Sequence, residues 1–286
     1  MGVSDVYWQS AEGLRLHARD YAAEGDARPR LPVICLHGLT RNARDFEDVA
    51  PWLAQQGRRV LAVDVRGRGL SQWDPAADYR LPAYADDVVR LMDAEGLTRA
   101  IFIGTSMGGL ITMDVAGVRP DLMAGAVIND VGPVLAPAGL MRIASYVGRE
   151  TPVATWDDAA AYARSLNAHA LPHYTEADWR AMAARLFRED EAGRVVLDYD
   201  PDIAKPFADG PLMGDPWARW NALTQACPVL LLRGERSDLL TEELALGMLA
   251  GRIGVTLRTV PGVGHAPMLD EPESRAALEW FVRALP

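Results

Sequence analysis

The sequence predicts an α/β protein with a doubly wound, mostly parallel sheet and an inserted helical cap. Short apolar runs recur along the 286 residues, most of them continuous rather than alternating, and helical patterns separate them. Continuous runs are typical of strands buried on both faces, and strand–helix alternation favours a parallel sheet. The alternation stops in an alanine-rich stretch and then resumes. We therefore expect a core domain of residues 1–132 and 216–286, and a helical cap of residues 133–215.

The predicted elements follow from these patterns. The predicted strands are Val6–Gln9, Leu14–Tyr21, Pro32–Leu36, Arg59–Val63, Ala100–Ile103, Gly125–Ile128, Pro228–Leu232 and Val255–Val260. The predicted core helices are Asp45–Gln55, Tyr84–Glu95, Leu110–Val118, Thr241–Ala250 and Pro272–Leu285. Helical patterns in the cap cover Ala138–Val147, Trp156–Leu166 and Glu176–Phe187. A helical insertion between two strands is expected to cover the carboxyl edge of the sheet, where open α/β sheets bind ligands.

Composition and charge exclude several classes of protein. The net charge is -10 at pH 7 and no run of lysine or arginine occurs, so a nucleic-acid partner is not expected. A signal peptide and a membrane-length apolar stretch are both absent from the sequence, which predicts a cytoplasmic protein without a membrane partner. Cys35 and Cys227 lie in or beside strand-like runs, where a thiol usually serves as a small buried hydrophobe.

The stretch Gly104-Thr105-Ser106-Met107-Gly108-Gly109 stands between a predicted strand and a predicted helix. Small residues on both sides of the serine suit a sharp strand-to-helix turn, because Cβ atoms there would have no room. The helix that follows offers free N–H groups to an anion forming near Ser106. The pattern indicates a nucleophilic serine. A glycine-rich turn that only packs closely, or that binds phosphate, is the alternative.

A nucleophilic serine requires a base, and His265 is the candidate. It follows the last predicted strand, so the fold would bring it to the same edge of the sheet as Ser106. His17 falls inside a strand, and His169 and His173 belong to the cap. Pro172 interrupts the helical spacing of the latter two, so no metal site is expected there.

The base in turn requires a carboxylate to fix its tautomer. Asp238 is the preferred candidate, because it lies on the loop after the strand that ends at Leu232. Two other carboxylates compete with Asp238 for this role. They are Asp130, which follows the preceding strand, and Glu235.

The oxyanion hole is expected in the stretch His37-Gly38-Leu39-Thr40, directly after a strand. Gly38 lets the chain bend so that the N–H of Leu39 points inward, and the N–H of Met107 would complete the pair. We expect His37 to hold this loop by hydrogen bonds rather than to act as the base.

Together these motifs resemble the α/β-hydrolase superfamily, and more narrowly its capped serine esterase and lactonase branch. The resemblance rests on His37-Gly38, the stretch Asp64 to Ser71, the elbow at Ser106, Asp238 and Gly264-His265. It implies the order serine, acid, histidine. Some members take the acid from the sixth strand, so Asp130 stays an alternative candidate for the acid. The stretch Asp64 to Ser71, which contains Arg66 and Arg68, is interpreted as a structural turn.

The predicted function is hydrolysis of a small-molecule carboxylic ester or lactone through an acyl-enzyme on Ser106, with no cofactor and no metal. Alternatives are a carbon-carbon bond hydrolase or a cofactor-free haloperoxidase (perhydrolase) of the same fold, and a small-molecule receptor with a vestigial triad. Bulky cap residues are candidates for an acyl pocket, although such residues are more often packing. They are Met141, Tyr146, Trp156, Trp179, Phe187, Met213 and Trp217.

Overall fold

The computed structural model describes residues 2–25, 30–149, 151, 153–208 and 215–286. Its strands, in chain order, are β1 (Val3–Gln9), β2 (Arg15–Tyr21), β3 (Val33–Leu36), β4 (Val60–Asp64), β5 (Ala100–Thr105), β6 (Met123–Asn129), β7 (Phe187–Glu189), β8 (Val195–Leu197), β9 (Val229–Gly234) and β10 (Val255–Val260). Its α-helices are α1 (Val49–Gln55), α2 (Leu81–Ala94), α3 (Met107–Val118), α4 (Pro137–Ala144), α5 (Trp156–Asn167), α6 (Glu176–Leu186), α7 (Lys205–Ala208), α8 (Pro216–Ala226), α9 (Glu242–Leu249) and α10 (Pro272–Arg283).

Within the described ranges the central sheet has eight strands in the order β1-β2-β4-β3-β5-β6-β9-β10. The β1–β2 and β2–β4 pairs are antiparallel, and the remaining neighbours in this order, β4-β3-β5-β6-β9-β10, pair in parallel. The predicted fold class, a doubly wound and mostly parallel α/β sheet, is confirmed. Because β3, β5, β6, β9 and β10 run the same way, the loops that follow them meet at one edge.

Side chains of the central strands alternate between two buried layers. In β3, Ile34 and Leu36 belong to the cluster that contains side chains of α2 and α3, whereas Val33 and Cys35 belong to the cluster that contains side chains of α1 and α10. All four are fully buried. Burying one large aliphatic side chain stabilises the fold by about 2 kcal/mol. The strand is therefore a continuous apolar run, as its sequence predicted.

The segment between β6 and β9 carries α4 to α8 and an antiparallel hairpin of β7 and β8. The three helices predicted in this segment are α4, α5 and α6, each within a few residues of its expected bounds. Capping boxes start two of them: Thr155 with Asp158, and Thr175 with Asp178. The hairpin and α8 were not predicted. Helix α8 is attached to α3 by the ion pair of Arg219 with Asp114, at 2.7 Å.

Both cysteines are free and buried, as expected for small hydrophobes. Burial raises the pKa of the Cys227 thiol to about 12 and that of Cys35 further. In the part of the chain that the structure describes, every helix is too short or too polar to cross a bilayer.

A histidine lies between two carboxylates where β1, β2 and β4 meet. His17 is fully buried, with Nδ1 at 2.6 Å from Asp64 Oδ2 and Nε2 at 2.9 Å from Asp5 Oδ1. Burial by itself lowers the pKa of this imidazole, but the hydrogen bonds to Asp64 and Asp5 outweigh it and raise the pKa above its usual value. The structure therefore favours the protonated ring.

This raised pKa predicts a pH-dependent contribution to stability. The contribution is complete below the unfolded-state pKa of about 6.5 and is lost as pH rises through the higher folded-state pKa. The difference in free energy of unfolding between the parent and His17→Gln should therefore be largest near pH 6 and shrink towards pH 9 in denaturant titrations. The exposed His173→Gln, measured in the same way, is the control. A His17 difference that grows with pH would contradict the assignment.

Candidate active site

Ser106 stands at the turn between β5 and α3, with φ 53° and ψ -117°. A non-glycine residue rarely adopts this backbone conformation, and such strain persists only where the surroundings enforce it. The surroundings here are packed backbone. A Cβ on Gly104 would overlap the carbonyl oxygen of Gly108, and a Cβ on Gly108 would overlap that of Leu36. The two glycines are therefore required, as the sequence pattern predicted.

His265 reaches this serine from the loop between β10 and α10. Its Nε2 lies 2.9 Å from Ser106 Oγ, and its Nδ1 lies 2.8 Å from Asp130 Oδ2. The side chain is about nine-tenths buried. The ring thus connects a hydroxyl to a buried carboxylate through its two nitrogens, which is the arrangement that activates a serine for nucleophilic attack.

Asp130 receives hydrogen bonds from three sides. Its Oδ1 accepts the N–H of Gly234 at 2.8 Å, and its Oδ2 accepts the Ser237 hydroxyl at 2.6 Å as well as the His265 ring. The side chain is fully buried. Asp130 directly follows β6 and has a left-handed backbone, φ 58°, which aspartate tolerates better than most residues.

The preference for Asp238 as the acid was therefore wrong in this geometry. Asp238 faces the segment between β6 and β9, hereafter the insertion, where its two oxygens accept hydrogen bonds from Nε of Arg142 at 2.6 Å and from Nη2 at 2.8 Å. Its neighbour Ser237 is the residue of this loop that donates to Asp130. The third candidate, Glu235, accepts the N–H of Gly262 at 2.7 Å and so supports the loop that carries His265.

His37 is fully buried and holds the loop after β3, as predicted. Its Nδ1–H donates to the carbonyl of Gly38 at 2.7 Å, and its Nε2 accepts the N–H of Val65 at 3.0 Å. Burial lowers its pKa to about 4, so the ring is neutral at physiological pH. The loop passes close to the serine, since a Cβ on Gly38 would lie 3.8 Å from Ser106 Cβ.

The oxyanion-hole residues named from the sequence lie beside the serine. Leu39 lines the same cavity as Ser106. Met107 is the first residue of α3, and the first N–H groups of a helix have no acceptor within the helix. The roles of Leu39 and Met107 in binding an oxyanion stay a prediction.

A buried arginine contacts both of these residues, and the sequence reasoning missed it. Arg68 donates from Nε to the carbonyl of Leu39 at 3.0 Å, and its Nη2 lies 3.5 Å from Met107 Sδ. Its Nη1 donates to the Tyr84 hydroxyl at 2.8 Å. Arginines in turns are mostly at the surface, so the motif alone gave no signal for this contact. One guanidinium thus bridges the two segments that would form an oxyanion hole.

A cavity of about 100 Å³ opens beside Ser106 and His265. Its apolar lining includes Phe46, Ile143, Leu166, Leu171, Met182 and Leu186. Of the seven bulky cap residues proposed from the sequence, Tyr146 lines this cavity. The others lie elsewhere: Trp179 and Phe187 are buried in a cluster of the insertion, Met141 and Trp156 are exposed, Trp217 packs against the core, and Met213 lies outside the described residues.

Within the described ranges, no three His, Cys, Asp or Glu side chains converge on a point where they would hold an ion.

The chain also matches known sequences. Residues 33–278 match the sequence profile of the alpha/beta hydrolase family. The chain belongs to this family. The hydrolase is 36% identical over 277 residues to a 3-hydroxybutyrate-oligomer hydrolase of Cupriavidus necator, with 93% of each chain covered. It is also 25% identical to Esterase YbfF of Escherichia coli, over 85% of this chain and 89% of the relative.

A solved structure is similar over almost the whole hydrolase. It is an alpha/beta hydrolase from Novosphingobium aromaticivorans, 43% identical in sequence, with a TM-score of 0.91 and 98% of each chain covered. The superfamily expected from the motifs is thus confirmed.

The Arg68 contacts predict a selective defect in the chemical step. In Arg68→Met the carbonyl of Leu39 loses its donor, so the two segments beside Ser106 are no longer bridged. Hydrolysis of a substrate turned over at this site should fall on the order of 10- to 100-fold in kcat, with KM changed much less, because small displacements of such groups are costly. Arg68→Lys should recover part of the loss. Equal losses in kcat for Arg68→Met and for the exposed Arg90→Met would show that Arg68 has no positioning role.

Proposed function

We propose that this hydrolase cleaves carboxylic esters, lactones included, through an acyl-enzyme on Ser106. The observation that carries the proposal is the His265 ring, with Nε2 at 2.9 Å from Ser106 Oγ and Nδ1 at 2.8 Å from Asp130 Oδ2. Hydrolysis is common to the relatives described above, and one of them is named an esterase.

The reaction follows from these contacts. Ser106 Oγ attacks the ester carbonyl while His265 Nε2 takes its proton, and Asp130 accepts the Nδ1–H and stabilises the imidazolium. The N–H groups of Leu39 and Met107 bind the oxyanion. Collapse of the tetrahedral intermediate breaks the bond to the alcohol, which leaves with the proton from His265. Water, deprotonated by the same ring, then releases the acid and restores Ser106.

We further propose that residues 133–215 form a cap over this site and supply part of its specificity. Arg142, Tyr146 and Leu171, all from the insertion, line the cavity beside Ser106. The insertion also supports the base, because the carbonyl of Ala170 accepts the N–H of Gly264 at 2.7 Å.

Covalent labelling tests the nucleophile. A fluorophosphonate probe should add once to the native protein, at Ser106, because the neighbouring base activates that hydroxyl. Ser106→Ala should lose both the label, read by mass spectrometry of tryptic peptides, and turnover of short-chain esters. A label on another serine, or ester turnover retained in Ser106→Ala, would refute the proposal. Labelling without turnover of any ester or lactone would favour a receptor or a carbon-carbon bond hydrolase.

The choice of acid predicts a large difference between two conservative variants. Asparagine at position 130 can favour the wrong tautomer of His265, so Asp130→Asn should lower kcat on the order of 10⁴. Asp238→Asn leaves the contact between His265 and Asp130 intact and should retain most of kcat on a neutral ester. Steady-state kinetics on one neutral substrate measures both. A crippled Asp238→Asn beside an active Asp130→Asn would reverse the assignment.

A further inference from the structure

The cavity beside Ser106 carries more guanidinium than carboxylate. Its described lining includes two arginines, Arg41 and Arg142, and one carboxylate, Asp45. Arg41 and Asp45 neutralise each other inside the cavity, since Arg41 donates to that carboxylate from Nε at 2.8 Å and from Nη2 at 2.5 Å. Arg142 is the other guanidinium of the described lining.

The partner of Arg142 lies outside this lining. Asp238, on the loop after β9, accepts two hydrogen bonds from Nε and Nη2 of Arg142. The side chain of Arg142 is 24% exposed and that of Asp238 is 28% exposed. Such a bidentate contact fixes the plane of the guanidinium. It uses two of the five N–H donors, and the neighbouring Tyr146 hydroxyl uses at most one more. Donors of a cationic group thus remain for a ligand in the cavity.

The remaining lining suits an anion attached to a short carbon chain. Tyr146, Tyr162 and Asn167 add neutral polar groups to this lining, while Leu171 and Met182 provide apolar surface. A carboxylate that entered this cavity would exchange water for charge-assisted hydrogen bonds, whereas a neutral group would leave the donors of Arg142 less well satisfied.

We propose that Arg142 binds a carboxylate on the substrate. The preferred esters are then hydroxy acids acylated on the hydroxyl, with the carboxylate free, or monoesters of dicarboxylic acids. Asp238 holds the guanidinium in the orientation that receives this carboxylate. The proposal rests on ester hydrolysis at Ser106 and names the substrate class for that site. The competing explanation is that Arg142 and Asp238 only fasten α4 to the core.

The two explanations differ in sign for a pair of variants. Arg142→Gln removes the proposed ligand for the carboxylate. Asp238→Asn removes a negative charge that opposes a second carboxylate on the same guanidinium, yet its amide oxygen still accepts a hydrogen bond from Arg142. A substrate-binding role predicts opposite effects of these variants on anionic esters. A fastening role predicts effects in the same direction, because both variants weaken the same contact.

Two matched pairs of substrates isolate the charge. One pair is 3-acetoxybutanoate and 3-acetoxybutanamide, with the charge on the alcohol side. The other is monoethyl adipate and its neutral primary amide, ethyl adipamate, with the charge on the acyl side. Within each pair only the carboxylate is replaced, and chromatography of the released products gives kcat/KM for both members.

The parent should prefer the carboxylate member of at least one pair. Arg142→Gln should lower kcat/KM for that member by about tenfold or more and should affect the amide member much less. Asp238→Asn should lower KM for the carboxylate member by about three- to tenfold. Arg164→Gln removes the same charge from an exposed position of the insertion and should leave the preference unchanged.

Three results would overturn the proposal: no preference for the carboxylate in either pair, equal losses for both members in Arg142→Gln, or parallel losses in Arg142→Gln and Asp238→Asn. Fluorophosphonate labelling of the same samples separates this failure from a failure of the proposed function. If Ser106 is labelled and both members are hydrolysed alike, only the inference about Arg142 is wrong. If Ser106 is not labelled and neither ester is cleaved, ester hydrolysis itself is wrong.

Discussion

The carboxylate of Asp130 joins three segments that meet at the carboxyl edge of the sheet. It accepts the N–H of Gly234 at the end of β9, the hydroxyl of Ser237 on the next loop, and the ring of His265 after β10. Hydrogen bonds to an ionised, buried acceptor are short and strong, and the three distances lie between 2.6 and 2.8 Å. The orientation of the His265 ring towards Ser106 therefore depends on this buried group.

The opposite side of the site is fixed by the turn that follows β4. Asp64, the last residue of that strand, accepts the N–H groups of Ala43 and Leu70 and lies against the buried His17 ring. This anchors the turn from which Val65 reaches His37 and Arg68 reaches the carbonyl of Leu39. The stretch Asp64 to Ser71, which the sequence predicts to be a structural turn, thus shapes the loop beside the nucleophile. Its importance lies in contacts with residues distant in sequence, which a motif does not reveal.

Much of this site could be predicted because its signals are local. The glycines around Ser106 indicate close backbone packing, and the continuous apolar runs indicate strands buried on both faces. The acid could not be chosen in this way. Asp130 and Asp238 follow β6 and β9, which are hydrogen-bonded neighbours, so both carboxylates reach the same edge. The choice depends on the left-handed backbone of Asp130 and on the contact of Asp238 with Arg142, 96 residues earlier in the chain.

The insertion also contributes to both halves of the site, which limits how freely it can vary. Ala170 accepts a hydrogen bond from the loop of the base, and Asp198 accepts one from Gly69 in the turn that contains Arg68. Both are hydrogen bonds between backbone groups. They therefore constrain the path of the backbone in the insertion rather than the identity of its side chains. Side chains that line the cavity, such as Tyr146 and Leu171, are free of that constraint. If this segment is the cap that we propose, specificity can change at those positions while the backbone that supports His265 and the Arg68 turn is retained.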